Sequence, residues 1–413
     1  MTTHVDSPPR SAVARVASVA ADSDLLPLSL RSVLGYYAET GVFDYDSLTL
    51  KRYVDRTVEE LLTAAYRAVE RSIADVVDEP PSAIEFAYDT KLTLPAELTL
   101  GRVYQRAVDE TPAAFNPVTL SVRTPLVEYV RSPFDDEYER RRLRMYREQY
   151  AAVLDEVERA EAMTELVVEA LLDGDMRDAI NDDEYDDFEV EGPTGDLSTP
   201  EIAVVAQETL AARVEAQFET FPDEVRAAYE RAVTVSERHQ DDDPRFREIA
   251  ERAATDADAA ATDIREEYKH APFDDDGPLF APEHGDLPYF TTQYGRVGVI
   301  YAGMIEMYRA VGIDIDAGFE ESIILAIVGA QIWLDDVDDF PEDLADRQLT
   351  PATAEYWLAD SDGEAYDRIV DIAVRYLDAA KAAATASDST LTGIAVEYIL
   401  RSGAPESLPG SRE

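Results

Sequence analysis

The chain has 413 residues, 46% apolar and 30% charged, and Asp and Glu outnumber Lys and Arg 87 to 37 for a formal net charge of −50. That apolar share fits a packed globular protein and excludes a disordered acidic chain. The shortage of clustered Lys and Arg argues against nucleic acid as a partner, and the absence of cysteine removes disulfides, thiol nucleophiles and thiolate metal sites.

Lysine occurs only at Lys51, Lys91, Lys269 and Lys381, so nearly every cation is an arginine. A negative surplus of this size repels itself in dilute buffer and is tolerable where molar salt screens charge over about 3 Å. The composition therefore points to a salt-accumulating halophile as the source. His4, His239, His270 and His284 show no metal-ligand spacing, and His270 and His284 flank an acidic stretch, Asp274 to Asp276, that reads as solvated loop. No basic-then-apolar leader opens the chain. The longest apolar run, Ser322 to Leu334, falls short of the roughly 20 residues that span a bilayer. A cytoplasmic protein is expected.

In chain order, residues 1–22 are rich in Ser, Pro and Ala without a period, and are expected to be loose. A mainly helical region follows over 23–130. Within it, Val58, Leu61, Leu62, Ala65, Val69 and Ile73 recur every three or four residues, which predicts a helix over Tyr53 to Val77. The Pro-rich residues 80–126 are expected to be irregular or briefly extended. From 131 to 403 the pattern predicts a helical bundle. Two helices run from about Tyr138 to Leu172, the second apolar at Met163, Leu166, Val167, Ala170 and Leu171. After an acidic loop, Ser198, Thr199, Pro200 and Glu201 supply a polar cap and a first-turn proline for the next helix. Further helices are expected at 224–238, 245–268, 290–311, 316–339, 352–384 and 389–401, with a Pro/Gly/Asp-rich loop over 272–288 and a loose tail over 404–413. The fold class is all-α.

Two acidic clusters follow apolar helices. In QIWLDDVDDF (331–340), Asp335, Asp336 and Asp339 stand at i, i+1 and i+4, which puts Asp335 and Asp339 on one helical face with Asp336 beside them. Stacked carboxylates repel one another, and a bound divalent cation removes that repulsion. Ile323, Ile324, Leu325, Ile327, Val328, Ile332, Trp333 and Leu334 make the preceding turns apolar nearly all round, so the helix is expected to be buried with its acidic end at a cavity. Upstream, LLDGDMRDAINDDEYDD (171–187) carries Asp173, Asp175 and Asp178. The pair suggests two facing acidic walls able to hold Mg²⁺, with Mn²⁺ as the alternative ion, between carboxylates and substrate phosphate oxygens.

These residues resemble the class I isoprenoid synthases: the trans-prenyl diphosphate synthases and their squalene, phytoene and terpene synthase relatives. The family's second aspartate-rich motif, F-Q-x-x-D-D-x-x-D followed by D-L-x-x-G-K-x-T-x-P, is similar to Gln331, Asp335, Asp336 and Asp339 followed by Asp343, Leu344, Arg347, Thr350 and Pro351. A Lys-Thr pair that opens a helix about forty residues earlier in the family has Arg296 as its nearest basic equivalent. The first motif is matched less closely. Gly174 stands where an aspartate is usual, with Asp173 adjacent, and Glu189, Val190 and Glu191 occupy the place of an arginine pair. The glycine-lysine-arginine motif for a homoallylic substrate has only Arg123, Thr124 and Pro125 near it.

The resemblance spans roughly 160–403 and implies an isoprenoid-synthase type of bundle with an additional N-terminal helical region. It implies metal ligands at Asp173, Asp175, Asp178, Asp335, Asp336 and Asp339, and diphosphate contacts at Arg296 and Arg347, with Arg177 and Gln331 as further candidates. Tyr294, Tyr301, Trp333 and Phe340 are candidates to line an apolar pocket. The implied activity is Mg²⁺-dependent ionisation of an allylic prenyl diphosphate for transfer, condensation or cyclisation, with one substrate or two allylic ones. The alternative is a non-catalytic partner subunit or binding protein of the same fold. Peripheral membrane contact for an apolar product and assembly as a homodimer are both compatible with the sequence.

Overall fold

The structure is a computed structural model and describes residues 12–21, 26–42, 46–88, 93–112, 137–182, 185, 188–240, 242–273, 287–402, 405 and 407–411. Helices dominate, as the apolar periodicity predicts, and the strands among the described residues form one two-stranded sheet. Two compact units divide the chain, each assembled from separated segments. Unit 1 joins Met1–Tyr45, Glu230–Gly303 and Ile315–Glu413, and unit 2 joins Asp46–Tyr229 and Met304–Asp314.

In unit 2, helices Asp46–Val77, Leu94–Asp109 and Thr199–Phe218 pack on the long helix Ala151–Asp182. Val157, Ala160, Met163, Leu166 and Val167 of that helix are buried. So are Glu161, Glu169 and Asp173, and each has a donor. The Tyr104 hydroxyl meets Glu161 at 2.8 Å, Arg213 Nε meets Glu169 at 2.9 Å, and Gln207 Nε2 meets Asp173 at 2.8 Å. Buried carboxylates are tolerated on this condition. Antiparallel strands β1 (Glu85–Tyr88) and β2 (Phe188–Glu191) pair Phe86 with Val190 and Tyr88 with Phe188. The Phe86 and Phe188 rings stack 5.9 Å apart.

Unit 1 is built around helix Ala317–Ala330, which lies against Asp362–Ala386. Ile323, Ile324, Leu325 and Val328 are fully buried, as an all-round apolar helix requires. Asp316 caps its start by accepting the Phe319 N–H at 2.8 Å. Helix Thr390–Arg401 bridges Asp362–Ala386 and Leu28–Thr40. Two glycines permit its close approach to Leu28–Thr40. A Cβ at Gly393 would overlap the Tyr36 ring, and one at Gly35 would overlap the Arg401 guanidinium.

Several expectations need correction. The N-terminal segment is not wholly loose: Ala12–Ala21 is a helix with Ala17 and Ala21 buried against Leu28–Thr40. Leu94–Asp109, expected to be irregular, is a helix with Pro95 at its start and nine buried positions. The helix expected over 245–268 breaks at Asp256, whose extended backbone lets its side chain accept the Ala259 N–H and start Ala257–Asp263. The one expected over 352–384 is two, Pro351–Leu358 and Asp362–Ala386, the second capped by Ser361. The acidic loop before Ser198 contains strand β2. In the C-terminal tail, Leu408 is buried and Pro409 O accepts the Tyr356 hydroxyl. The readings made for Arg123 to Pro125, His4, His284 and Asp274 to Asp276 fall outside the described residues.

Candidate functional site

Three stretches of unit 1 leave the α-helical pattern for π-helix: Ile264–Lys269, Tyr294–Gly298 and Gln331–Asp335. Each closes with an N–H reaching five residues back, from His270 to Arg265, Val299 to Tyr294 and Asp336 to Gln331. A π turn adds one residue to a helix, shifts every later side chain round the axis, and is frequent at functional sites. These three bring Tyr268, Arg296 and Asp335 with Asp336 into one electrostatic cluster. Arg296 Nη1 lies 3.7 Å from Asp336 Oδ1, the arginine side chain 41% exposed and the aspartate 1%.

Asp336 is the buried member of the acidic motif. Its Oδ2 has no hydrogen-bond partner among the described residues. Burial pushes its carboxyl up to about 8, opposed by Arg296 and reinforced by Asp335, Asp343 and Asp339. Asp343, also buried, is pushed up to about 6 by burial, against the hydrogen bond from Thr350 and the charge of Arg296. Asp335 and Asp339 are exposed, one helical turn apart, with the Asp339 N–H bonded to Asp335 O at 3.0 Å. Gln331 Nε2 donates to the Asp335 carboxylate. The spacing argument thus holds for Asp335 and Asp339, whereas Asp336 points inward, off the face they share. Arg347 is exposed at the end of Phe340–Asp346 in a left-handed conformation, φ 59°.

Behind Arg296, Gln293 is buried, donates Nε2 to the Tyr268 hydroxyl at 3.3 Å, and leaves its Oε1 without a partner among the described residues. Burial and the Asp336 charge hold the Tyr268 hydroxyl far above its usual range. His239 packs on Gly295, where a Cβ would lie 3.1 Å from its Nδ1, and burial holds its imidazole below the ordinary value, with Asp243 opposing. Sequence reasoning missed Tyr268, Gln293 and His239. No motif joins them, and the one available signal was an amide, Gln293, between Phe290 and Tyr294 on an otherwise apolar face.

The upstream cluster belongs to unit 2. Asp173, Asp175 and Asp178 lie inside helix Ala151–Asp182, which runs ten residues past the expected end at Leu172. Asp173 is buried, paired with Arg177 at 2.6 Å and bonded by Gln207. Asp175 accepts the Tyr88 hydroxyl, and Asp178 is exposed. Glu189, Val190 and Glu191 are strand residues of β2. Tyr301, Trp333 and Phe340 are buried, and Phe340 packs on Tyr356 with ring centroids 4.4 Å apart. Tyr294 is half-buried against Phe273 and Phe290.

Among the described residues, no three His, Asp or Glu side chains are grouped so as to hold a metal ion. Mg²⁺ needs no such cage, because it keeps several waters and binds through one or two carboxylates plus substrate phosphates. Two exposed carboxylates backed by a buried one with an unused oxygen suit that habit. The stretch Ala317–Asp338 has the length and composition to cross a membrane, and 67% of its apolar 18-residue window is buried within the protein, where the stretch contributes to the core of unit 1. Compared with known proteins, the chain matches no family model, no curated protein and no solved structure at a significant level.

Proposed function

We propose that unit 1 binds the diphosphate of an allylic prenyl substrate and promotes its ionisation, in a transfer, condensation or cyclisation reaction. The observation that carries this reading is the Arg296–Asp336 pair, set at the meeting of three π turns and flanked by exposed Asp335 and Asp339. Asp335 and Asp339 would hold Mg²⁺, which when bound neutralises charge on the leaving diphosphate. Arg296, half out of its buried pair, offers donors to the same oxygens, and Arg347 adds a second guanidinium from the same motif. Asp336 keeps Arg296 aimed. Gln331 orients Asp335.

The test is pyrophosphate release from C10 to C20 allylic diphosphates in high salt with Mg²⁺ or Mn²⁺. Release is expected without isopentenyl diphosphate. Asp335→Ala and Asp339→Ala should each lower it at least roughly 100-fold, the effect of losing a few kcal/mol of charge stabilisation.

A second reading has its own observation. Asp173 and Asp175 are already engaged by Arg177, Gln207 and Tyr88, which suits a non-catalytic partner or binding protein whose upstream motif serves the fold. No release from any such substrate by demonstrably folded protein would establish that reading over the first.

A further inference from the structure

Glu355, on helix Pro351–Leu358, is fully buried and carries no role in the site described above. One of its oxygens, Oε1, receives both Lys269 Nζ at 2.5 Å and the Tyr289 hydroxyl at 2.6 Å. Its other oxygen has no hydrogen-bond partner among the described residues, with Arg368 Nη1 3.6 Å away. A half-satisfied buried carboxylate stabilises a fold less than an apolar side chain of the same volume would. What it adds is definition of position, and both of its donors sit at junctions of the Arg296 site.

Lys269 is the last residue of the π segment that carries Tyr268. Tyr289 precedes the helix that becomes the π segment of Arg296. Tyr289 is fully buried with φ 65°, a left-handed backbone that is unfavourable for a bulky residue and persists only where its surroundings fix it. The fixing contacts are the hydroxyl on Glu355 and the Tyr289 N–H on Lys269 O at 2.6 Å. Thr291 Oγ1 on Ala271 O at 2.7 Å and Thr292 Oγ1 on Tyr268 O at 3.4 Å lace the same two strands of chain together. The Tyr268 and Tyr289 rings stand 5.5 Å apart.

We infer that Glu355 is a positioning residue: by clipping Lys269 to Tyr289 it sets the register of the two π segments that present Tyr268 and Arg296. The positional half of this inference is independent of substrate. The functional half rests on the diphosphate reading of the Arg296 site.

Hydrogen exchange with binding of Mg²⁺ and inorganic pyrophosphate separates the two, applied to the full chain and to Glu355→Gln, Glu355→Leu and Lys269→Met. Glu355→Gln keeps an oxygen for both donors but not the charge that Lys269 meets, and should loosen the two segments and weaken pyrophosphate less than Glu355→Leu does. Glu355→Leu should exchange the amides of 264–269 and 289–298 roughly tenfold faster, with those of 390–401 unchanged, and weaken pyrophosphate roughly tenfold. Should Glu355→Leu fail to fold, Lys269→Met, which removes one arm alone, is expected to show the same local pattern at smaller size. Unchanged exchange at both segments, or a uniform rise across unit 1, overturns the inference. Local loosening without any change in pyrophosphate affinity also overturns its functional half. Absence of binding by the parent protein sinks the diphosphate reading, and the exchange pattern still decides the clip.

Discussion

At the scale of single residues, the informative carboxylates are those placed where charge is unfavourable. Asp336 and Asp343 are pushed up to about 8 and about 6 by burial, against roughly 3.9 in an unfolded chain. The folded state therefore holds more protons than the unfolded one between those values, so stability is fullest near pH 4 and falls as pH rises toward 8. In metal-free buffer at fixed salt, the melting temperature should drop across pH 5 to 8, and Asp336→Asn should flatten the upper half of that drop. A parallel slope in the two proteins would exclude Asp336 as its source. Asp173 makes a different prediction. Paired with Arg177 and Gln207, it should cost about 1–3 kcal/mol of stability on change to Ala, because two donors lose their acceptor. The measurement is the denaturant midpoint of unit 2 unfolding. The spacing of Asp335 and Asp339 was legible in the sequence because an i, i+4 pair shares a helical face. The inward turn of Asp336 was not, since which face is buried depends on what packs there.

At the scale of elements, long periodic helices were legible and their interruptions were not. The stripe from Val58 to Ile73 and the cap at Ser198 report local chemistry, in which Glu201 accepts the Ser198 N–H at 2.8 Å. Strand β2 forms only because β1 lies beside it, and the break at Asp256 is visible only once its side chain is seen capping the next helix. The π turns are invisible for a related reason: one inserted residue changes no composition. They are testable. Deleting Leu334, which is 44% exposed, should turn Gln331–Asp335 into ordinary α-helix and rotate Asp336 by about 100° away from Arg296. Pyrophosphate binding should be lost while the circular dichroism of the bundle is retained. Elsewhere in unit 1, Gly393→Ala should cost about 1–3 kcal/mol by overpacking against Tyr36, read from the melting temperature.

At the scale of the whole molecule, composition predicts behaviour that no contact shows. A formal charge of −50 with lysine at only four positions should make the protein salt-requiring, its melting temperature climbing from 0.1 M toward about 2 M KCl as repulsion is screened. A melting temperature that stays flat or falls over that range would remove the halophilic reading. The all-α class was legible here too, but the assembly of each unit from separated segments was not, because periodicity says which residues are buried and nothing about which helix buries them.

That assembly has a consequence for how the protein is made. In unit 1 the Tyr36 hydroxyl meets Thr385 across 349 residues of sequence. At the usual rate of synthesis of about 5–20 residues per second, Leu28–Thr40 leaves the ribosome roughly 17–70 s before the C-terminal helices it packs against exist. Through that interval Val33 and Tyr36, buried in the finished protein, face solvent beside a nascent chain whose aspartates and glutamates repel its neighbours on the polysome. The same acidity that burdens the finished fold would keep these waiting helices from sticking to one another.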